Sequence, residues 1–189
     1  MDSCRRPARV LGAGRVVGVQ IGTFLGDITT LTVDAIVNAA NERLTRGGGV
    51  CGAIHTAAGP QLALACAEIG GCDTGSAVAT PGFDLAARWV IHAVGPVWDG
   101  GDRDEPELLA SAYRRSIEIA DELGAESIAF PAISTGIYGM PLEVGCDVAV
   151  RTLVALDPRS TQRCVLVAFD APTLDALQSA LARGGHSSD

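Results

Sequence analysis

The sequence predicts a layered α/β domain with helices on both faces of a central sheet. Three observations lead there. Hydrophobic residues make up 48% of the 189-residue chain but aromatics only 4%, so the core is built of Ala, Val, Ile and Leu. Apolar runs of strand length alternate with stretches of helical length. The turns richest in Gly, Ser and Thr fall where a strand gives way to a helix, the place where such folds keep their ligands.

The elements follow in order. Residues 1–14 read as an N-terminal extension, 15–184 as one domain and 185–189 as a tail. "RVVGVQIGTF" (15–24) is a β-rich run and "TVDAIVNAA" (32–40) a buried strand. "GVCGAIHTAAGPQLALACAEIG" (49–70) is helical, with Gly59-Pro60 dividing or kinking it. "SAVATPGF" (76–83) and "RWVIHAVGP" (88–96) are strands joined through a Pro-Gly turn region. "EPELLASAYRRSIEIADELG" (105–124) is the clearest helix: Leu108, Leu109, Ala112, Ile117 and Ile119 supply an apolar side, and Gly124 stands at the C′ position. "ESIAFPAI" (126–133) is a strand, and "PLEVGCDVAVRTLVAL" (141–156) a helix with Pro141 in its first turn. "RCVLVAFD" (163–170) and "APTLDALQSALAR" (171–183) close the chain as strand and helix.

Composition excludes several classes. No apolar run approaches the ~20 residues of a membrane span, and the start has no sustained apolar region of the signal-peptide kind, so a cytoplasmic protein without membrane partners is expected. A net charge of −8 argues against general nucleic-acid binding, yet leaves room for one phosphate ligand held by backbone N–H groups. All fourteen basic residues are arginine, which excludes Walker, Schiff-base and general-base lysines. The six cysteines (4, 51, 66, 72, 146 and 164) form no CxxC pair and the three histidines (55, 92 and 186) no zinc spacing. Reduced thiols are expected, with no metal and no cofactor. Nothing demands assembly, so a monomer is expected.

Three stretches carry candidate chemistry. In "TFLGDITTL" (23–31), Asp27 is either a turn former or an acceptor for the exocyclic amine of a base. "GGGVCG" (47–52) matches G-x-G-x-x-G, but "NERLTR" separates it from the strand, so the dinucleotide meaning is rejected. What remains is a choice between a surface loop and glycines that let a ligand approach the first N–H groups of a helix. "PAISTGIYGMP" (131–141) presents consecutive N–H groups and hydroxyls between a strand and a helix, with Tyr138 either over a sugar or packed on its own loop.

Taken together and in this order, "GDITTLTVDAIVNAAN", "GGGVCGAIH" and "PAISTGIYGMP" resemble the macrodomain family, most of all its MacroD-type ADP-ribosylhydrolases. The resemblance runs from about Gly18 to Ala182 and implies a three-layer α/β/α macrodomain around a mixed sheet, with ADP-ribose at the strand ends. It places Asp27 on the adenine amine and the Ile28 backbone beside the base. Ser134, Thr135, Gly136, Ile137, Tyr138 and Gly139 would cradle the diphosphate, and Gly47, Gly48, Gly49 and Val50 would close the other side. Asn41 would bond the distal ribose, Tyr138 would border it, and Phe169 would stack on adenine.

The implied activity is removal of mono-ADP-ribose from acidic side chains, with deacetylation of O-acetyl-ADP-ribose beside it. The partners would be ADP-ribose and ADP-ribosylated proteins. The catalytic set is Asn41, Gly48, Cys51, His55 and Tyr138. MacroD-type enzymes usually carry an aspartate where this chain has Cys51, one turn before His55; some viral macrodomains also lack the acid. In that version the substrate's own phosphate helps activate a water. Cys51 is read mainly as a small buried residue and, against that, as a nucleophile activated by the helix end. His55 is expected to fix its helix by hydrogen bonding, His92 to be core or lining, and Asp34 and Glu42 to be turn and surface groups. The rival readings are a non-catalytic ADP-ribose reader and, further off, a cysteine hydrolase. A poly-ADP-ribose hydrolase is discounted, because no Glu-Glu pair follows a glycine loop.

Overall fold

The computed structural model describes residues 11–15 and 19–184. Strand β1 (Leu11–Arg15) precedes β2 (Gln20–Leu25), followed by a 3-10 turn (Ile28–Thr30), β3 (Ala35–Ala39), α1 (Gly49–Ala58) and α2 (Pro60–Ile69). Then come β4 (Ala77–Pro81), β5 (Trp89–Ala93), α3 (Glu105–Glu122), β6 (Ser127–Pro131), α4 (Leu142–Val154), β7 (Arg163–Ala168) and α5 (Ala171–Gly184). The strands make one seven-stranded sheet in the order β1-β2-β7-β6-β3-β5-β4. The five inner strands are parallel, and β1 and β4 run antiparallel at the two edges. The sheet is therefore mixed, as the family resemblance implies.

The inner strands are buried on both faces and alternate between two cores. Ala35 and Val37 of β3, Ile91 and Ala93 of β5 and Ile128 and Phe130 of β6 join the core under α3, α4 and α5. Their neighbours Ile36, Val90 and Ala129 join the other core, beneath α1 and α2. Ile28 and Leu31 of the 3-10 turn and Leu44 of the loop after β3 anchor in that second core. Three layers result.

Local chemistry explains the boundaries. Gly59 (φ 79°) breaks the helical run, and Pro60 opens α2. Helix α3 ends in a Schellman arrangement: Gly124 has φ 66°, its N–H bonds Asp121 O at 3.1 Å, and Ala125 N–H bonds Ala120 O at 2.9 Å. Pro141 stands as the cap before α4 rather than within its first turn. The main difference lies at the start, where a strand at Leu11–Arg15 occupies residues read as a loose end. Residues 16–18 of the run read as 15–24, like Cys4, His186 and the tail, lie outside the described residues. Five cysteines are free thiols; Cys51, Cys66, Cys146 and Cys164 are buried and Cys72 partly so. No single described helix is long and apolar enough to cross a membrane.

Candidate active site

Because β2, β7, β6, β3 and β5 are parallel neighbours, the loops after them share one end of the sheet in that order. Asp27 and Phe169 follow β2 and β7, and Gly26 N–H bonds Ala168 O at 2.8 Å to hold the two ends together. The loop 132–139 follows β6 and the loop 40–48 follows β3. Gly95 and Pro96 follow β5. From β2 to β3 is three strand spacings, about 14 Å.

The central loops enclose a cavity of about 380 Å³, lined by Asn41, Gly47 to Cys51, Gly95, Ala132 to Ser134 and Gly136 to Tyr138. Its two sides nearly touch, since a Cβ built on Gly48 would lie 3.3 Å from Ile137 Cδ1. On the β6 side the chain turns back on itself through Gly139 N–H to Gly136 O (2.9 Å) and Met140 N–H to Ser134 O (3.0 Å). Those bonds leave the N–H groups of Gly136, Ile137 and Tyr138 without an acceptor among the described residues. Ser134 takes φ 66°, and its buried Oγ has no partner among the described residues. On the other side α1 begins at Gly49, capped by Gly48 with no side-chain bond, so its first N–H groups are open. Two sets of main-chain donors without acceptors among the described residues thus border one space, with the positive end of α1 behind one of them.

Other predicted residues sit differently. Thr135 and Gly139 shape the loop but do not line the cavity; the Thr135 hydroxyl donates to Ala132 O at 2.9 Å. Gly47 lines it, but its N–H points to Cys51 Sγ at 3.3 Å. Asn41 is tied to Thr45, donating from Nδ2 to Thr45 O (2.8 Å) and accepting Thr45 N–H and hydroxyl at Oδ1, both at 3.2 Å. One amide proton of Asn41 is left for a ligand. Asp27 caps the 3-10 turn, with Thr29 N–H (2.9 Å) and hydroxyl (2.8 Å) donating to Oδ1. The side chain of Ile28 is buried beneath it, and Phe169 stands 86% exposed.

Cys51 lies at the cavity floor, 4% exposed. Its sulfur accepts from Gly47 N–H and, at 3.7 Å, from Asn38 Nδ2, which makes it a strut for the glycine loop. His55, one turn on, is buried, and its Nε2 has no hydrogen bond among the described residues. The expected helix-fixing bond is therefore not formed. The ring packs as a neutral group, its pKa lowered by burial and by the nearby Arg46.

The histidine that does make bonds is His92. Asn38 Nδ2 meets its Nδ1 at 3.1 Å, Thr80 Oγ1 meets its Nε2 at 2.9 Å, and Cys66 Sγ lies 3.7 Å from Nε2. With Asn38 as donor, Nε2–H is left to donate to Thr80. Burial, with a contribution from His55, pushes the His92 pKa down to about 4. Asp34, read as a turn group, staples β3 to β6 by accepting Ser127 N–H (3.0 Å) and hydroxyl (2.7 Å).

A second cavity of about 530 Å³ adjoins the first and shares Asn41, Gly95 and Tyr138 with it. Glu42, read as a surface group, lines it, together with Arg43, Arg103 and Glu105, which the sequence did not single out. Burial alone would raise the Glu105 pKa, but N–H bonds from Asp99 (2.9 Å), Arg103 (2.7 Å) and Gly101 (3.1 Å) bring it down to about 2. The Tyr138 phenol, between the cavities, is held above its ordinary pKa by burial and by the Glu42 carboxylate.

Fold and site define a class: a mixed sheet covered on both faces, whose cleft at the strand ends offers ligands mainly main-chain amides. The profile of the macro domain matches residues 37–149, more than half of the chain, and the chain belongs to the macro domain family. It is 53% identical to a macro domain-containing protein of Chlorobaculum tepidum over 88% of this chain and 98% of that protein. It is also 53% identical to a Klebsiella pneumoniae protein named O-acetyl-ADP-ribose deacetylase, over 83% of this chain and 93% of that one. Among solved structures, the Oceanobacillus iheyensis macrodomain with ADP superposes with a TM-score of 0.87, at 36% identity, over 91% of this chain and 95% of that one. A Trypanosoma brucei macrodomain in complex with ADP-ribose gives 0.76 at 38% identity, over 85% and 68%.

Proposed function

We propose that this macrodomain binds ADP-ribose and hydrolyses mono-ADP-ribose esters of acidic side chains, with deacetylation of O-acetyl-ADP-ribose at the same site. One observation carries the reading: the β6 loop and the start of α1, which line opposite sides of the central cavity, both carry main-chain N–H groups with no acceptor among the described residues, while Asp27 and Phe169 lie to one side by strand order and Asn41 and Tyr138 line the cavity itself. A diphosphate suits the middle because it is the only part of such a ligand with charge for every donor. Adenine would reach Asp27, whose Oδ2 makes no bond among the described residues, and lie against the exposed ring of Phe169. The distal ribose would take the spare Asn41 amide proton and lie beside Tyr138.

Hydrolysis then needs a water held near the anomeric carbon. The substrate's proximal phosphate helps to activate it, and Gly48 with its neighbours orients the ribose. Water adds to the anomeric carbon, the ester oxygen leaves with the carboxylate, and the water's proton goes to solvent. Positioning and fixed dipoles supply most of the acceleration. Cys51 supports this arrangement from below by bonding Gly47 N–H, while His55 stays neutral and packed. The same absence of an acid at Cys51 favours the second reading, a reader that binds without turnover.

The test is calorimetry with free ADP-ribose, then release from a substrate auto-ADP-ribosylated on glutamate. Heat and release are expected. Binding without release would leave the reader; no binding at millimolar ADP-ribose would sink both readings.

A further inference from the structure

The second cavity shares only Asn41, Gly95 and Tyr138 with the first, and it exceeds what an acetyl group needs. At about 530 Å³ it falls in the range that takes a whole drug-sized ligand. It opens beyond Asn41 and Tyr138, where the group attached to the distal ribose would emerge, and so this inference rests on the proposed function. Pro96, the 63%-exposed Val97 and Leu108 give it apolar wall.

Its charges are unevenly engaged. The Glu105 carboxylate is taken by three backbone N–H groups, and Glu42 Oε1 accepts the Thr74 hydroxyl at 2.7 Å. Arg103 pairs with Asp99 at 2.8 Å. Arg43 has no hydrogen bond or ion pair among the described residues. Arg43 is thus the one charged side chain lining this cavity that makes no bond among the described residues, although the Glu42 carboxylate beside it also has no cationic partner there.

We infer that the cavity beside Asn41 and Tyr138 is a substrate-selecting site that receives the polypeptide flanking the modified residue, and that Arg43 selects segments with a second acidic side chain close to it. The acidic neighbour accepts from the guanidinium while the peptide's apolar atoms cover Val97 and Leu108.

The test uses two peptides carrying ADP-ribose through a non-hydrolysable linkage, one flanked by Asp and Glu and one by Ser and Gly, together with free ADP-ribose. The acidic peptide should bind about two- to five-fold more tightly than the neutral one, the range of an exposed ion pair, and the gap should shrink at high salt. Arg43→Ala should abolish the gap and Arg43→Glu reverse it, with the affinity for free ADP-ribose unchanged in both. Equal affinity for the two peptides, or a gap that survives both variants, overturns the inference. Hydrolysable versions separate the failures. Discrimination without release defeats the hydrolytic reading alone, release without discrimination defeats this inference alone, and no affinity for ADP-ribose defeats both.

Discussion

Replacing Cys51 by alanine separates a structural sulfur from a chemical one. The side chain is 4% exposed, and its sulfur accepts Gly47 N–H at 3.3 Å. Deleting one buried heavy atom of this kind costs about 0.5–1.5 kcal/mol. The orphaned N–H of a weak sulfur bond adds a few tenths, for a total of about 1–2 kcal/mol. At about 2–4 °C per kcal/mol for a chain of this size, the melting temperature should fall by about 2–8 °C. Turnover should stay within about threefold of the parent, because the donors around the diphosphate belong to the main chain. The assay is release of ADP-ribose from a glutamate-linked substrate, with ADP-ribose affinity measured in parallel. A loss of kcat beyond about a hundredfold at unchanged affinity would show that the thiol takes part in the chemistry, and the water mechanism would be refuted. Cys51→Asp should keep or raise activity, since Gly47 N–H and Asn38 Nδ2 already point at that position.

Three other expectations follow from the same geometry. Gly95→Ala drives a Cβ into Ser134 Oγ and to within 2.6 Å of Ile133 Cγ2, so chemical denaturation should show a loss of about 1–3 kcal/mol and calorimetry a weaker grip on ADP-ribose. Asp27→Ala should weaken ADP-ribose about tenfold through the lost charge-assisted bond, while ribose 5-phosphate binding stays level; removing the turn cap costs about 1 kcal/mol besides. Stability should fall as pH falls: the His92 pKa is about 4 in the folded chain against 6.5 for an unperturbed histidine, so below pH 6.5 the unfolded chain takes up the proton first. The loss reaches about 3 kcal/mol near pH 4, with the lowered His55 pKa acting in the same direction. Urea midpoints measured from pH 7.5 to 4.5 should fall more steeply for the parent than for His92→Gln, so that the gap between them narrows as pH falls.

Much of the frame was legible because its signals are local. Gly124 marked the end of α3, Gly59-Pro60 marked the break between α1 and α2, and unbroken apolar runs of strand length marked β3, β5 and β6. The turns at 23–31, 47–52 and 131–141 were found as candidate loops because glycine, serine and threonine concentrate there. Strand β1 escaped because "LGAGR" has a glycine-rich composition, and edge pairing needs only its backbone. The His92 network escaped because its members lie on β3, β4, β5 and α2, far apart in the chain. The second cavity escaped for the same reason, and Glu105 resembled an ordinary helix-start acid until three backbone N–H groups were seen to converge on it. Tertiary proximity, with no periodic trace in the sequence, created all of these.

The knot around His92 has a bearing on grafting. Asn38 and Thr80 each meet a ring nitrogen of His92 that would otherwise be stranded in a dry interior, and Cys66 packs its sulfur 3.7 Å from the same ring. A chimera that imports β4 or α2 from a relative with different partners there should fold poorly, even if every imported side chain fits by volume. These four positions travel as one cassette, and shuffling experiments should move them together.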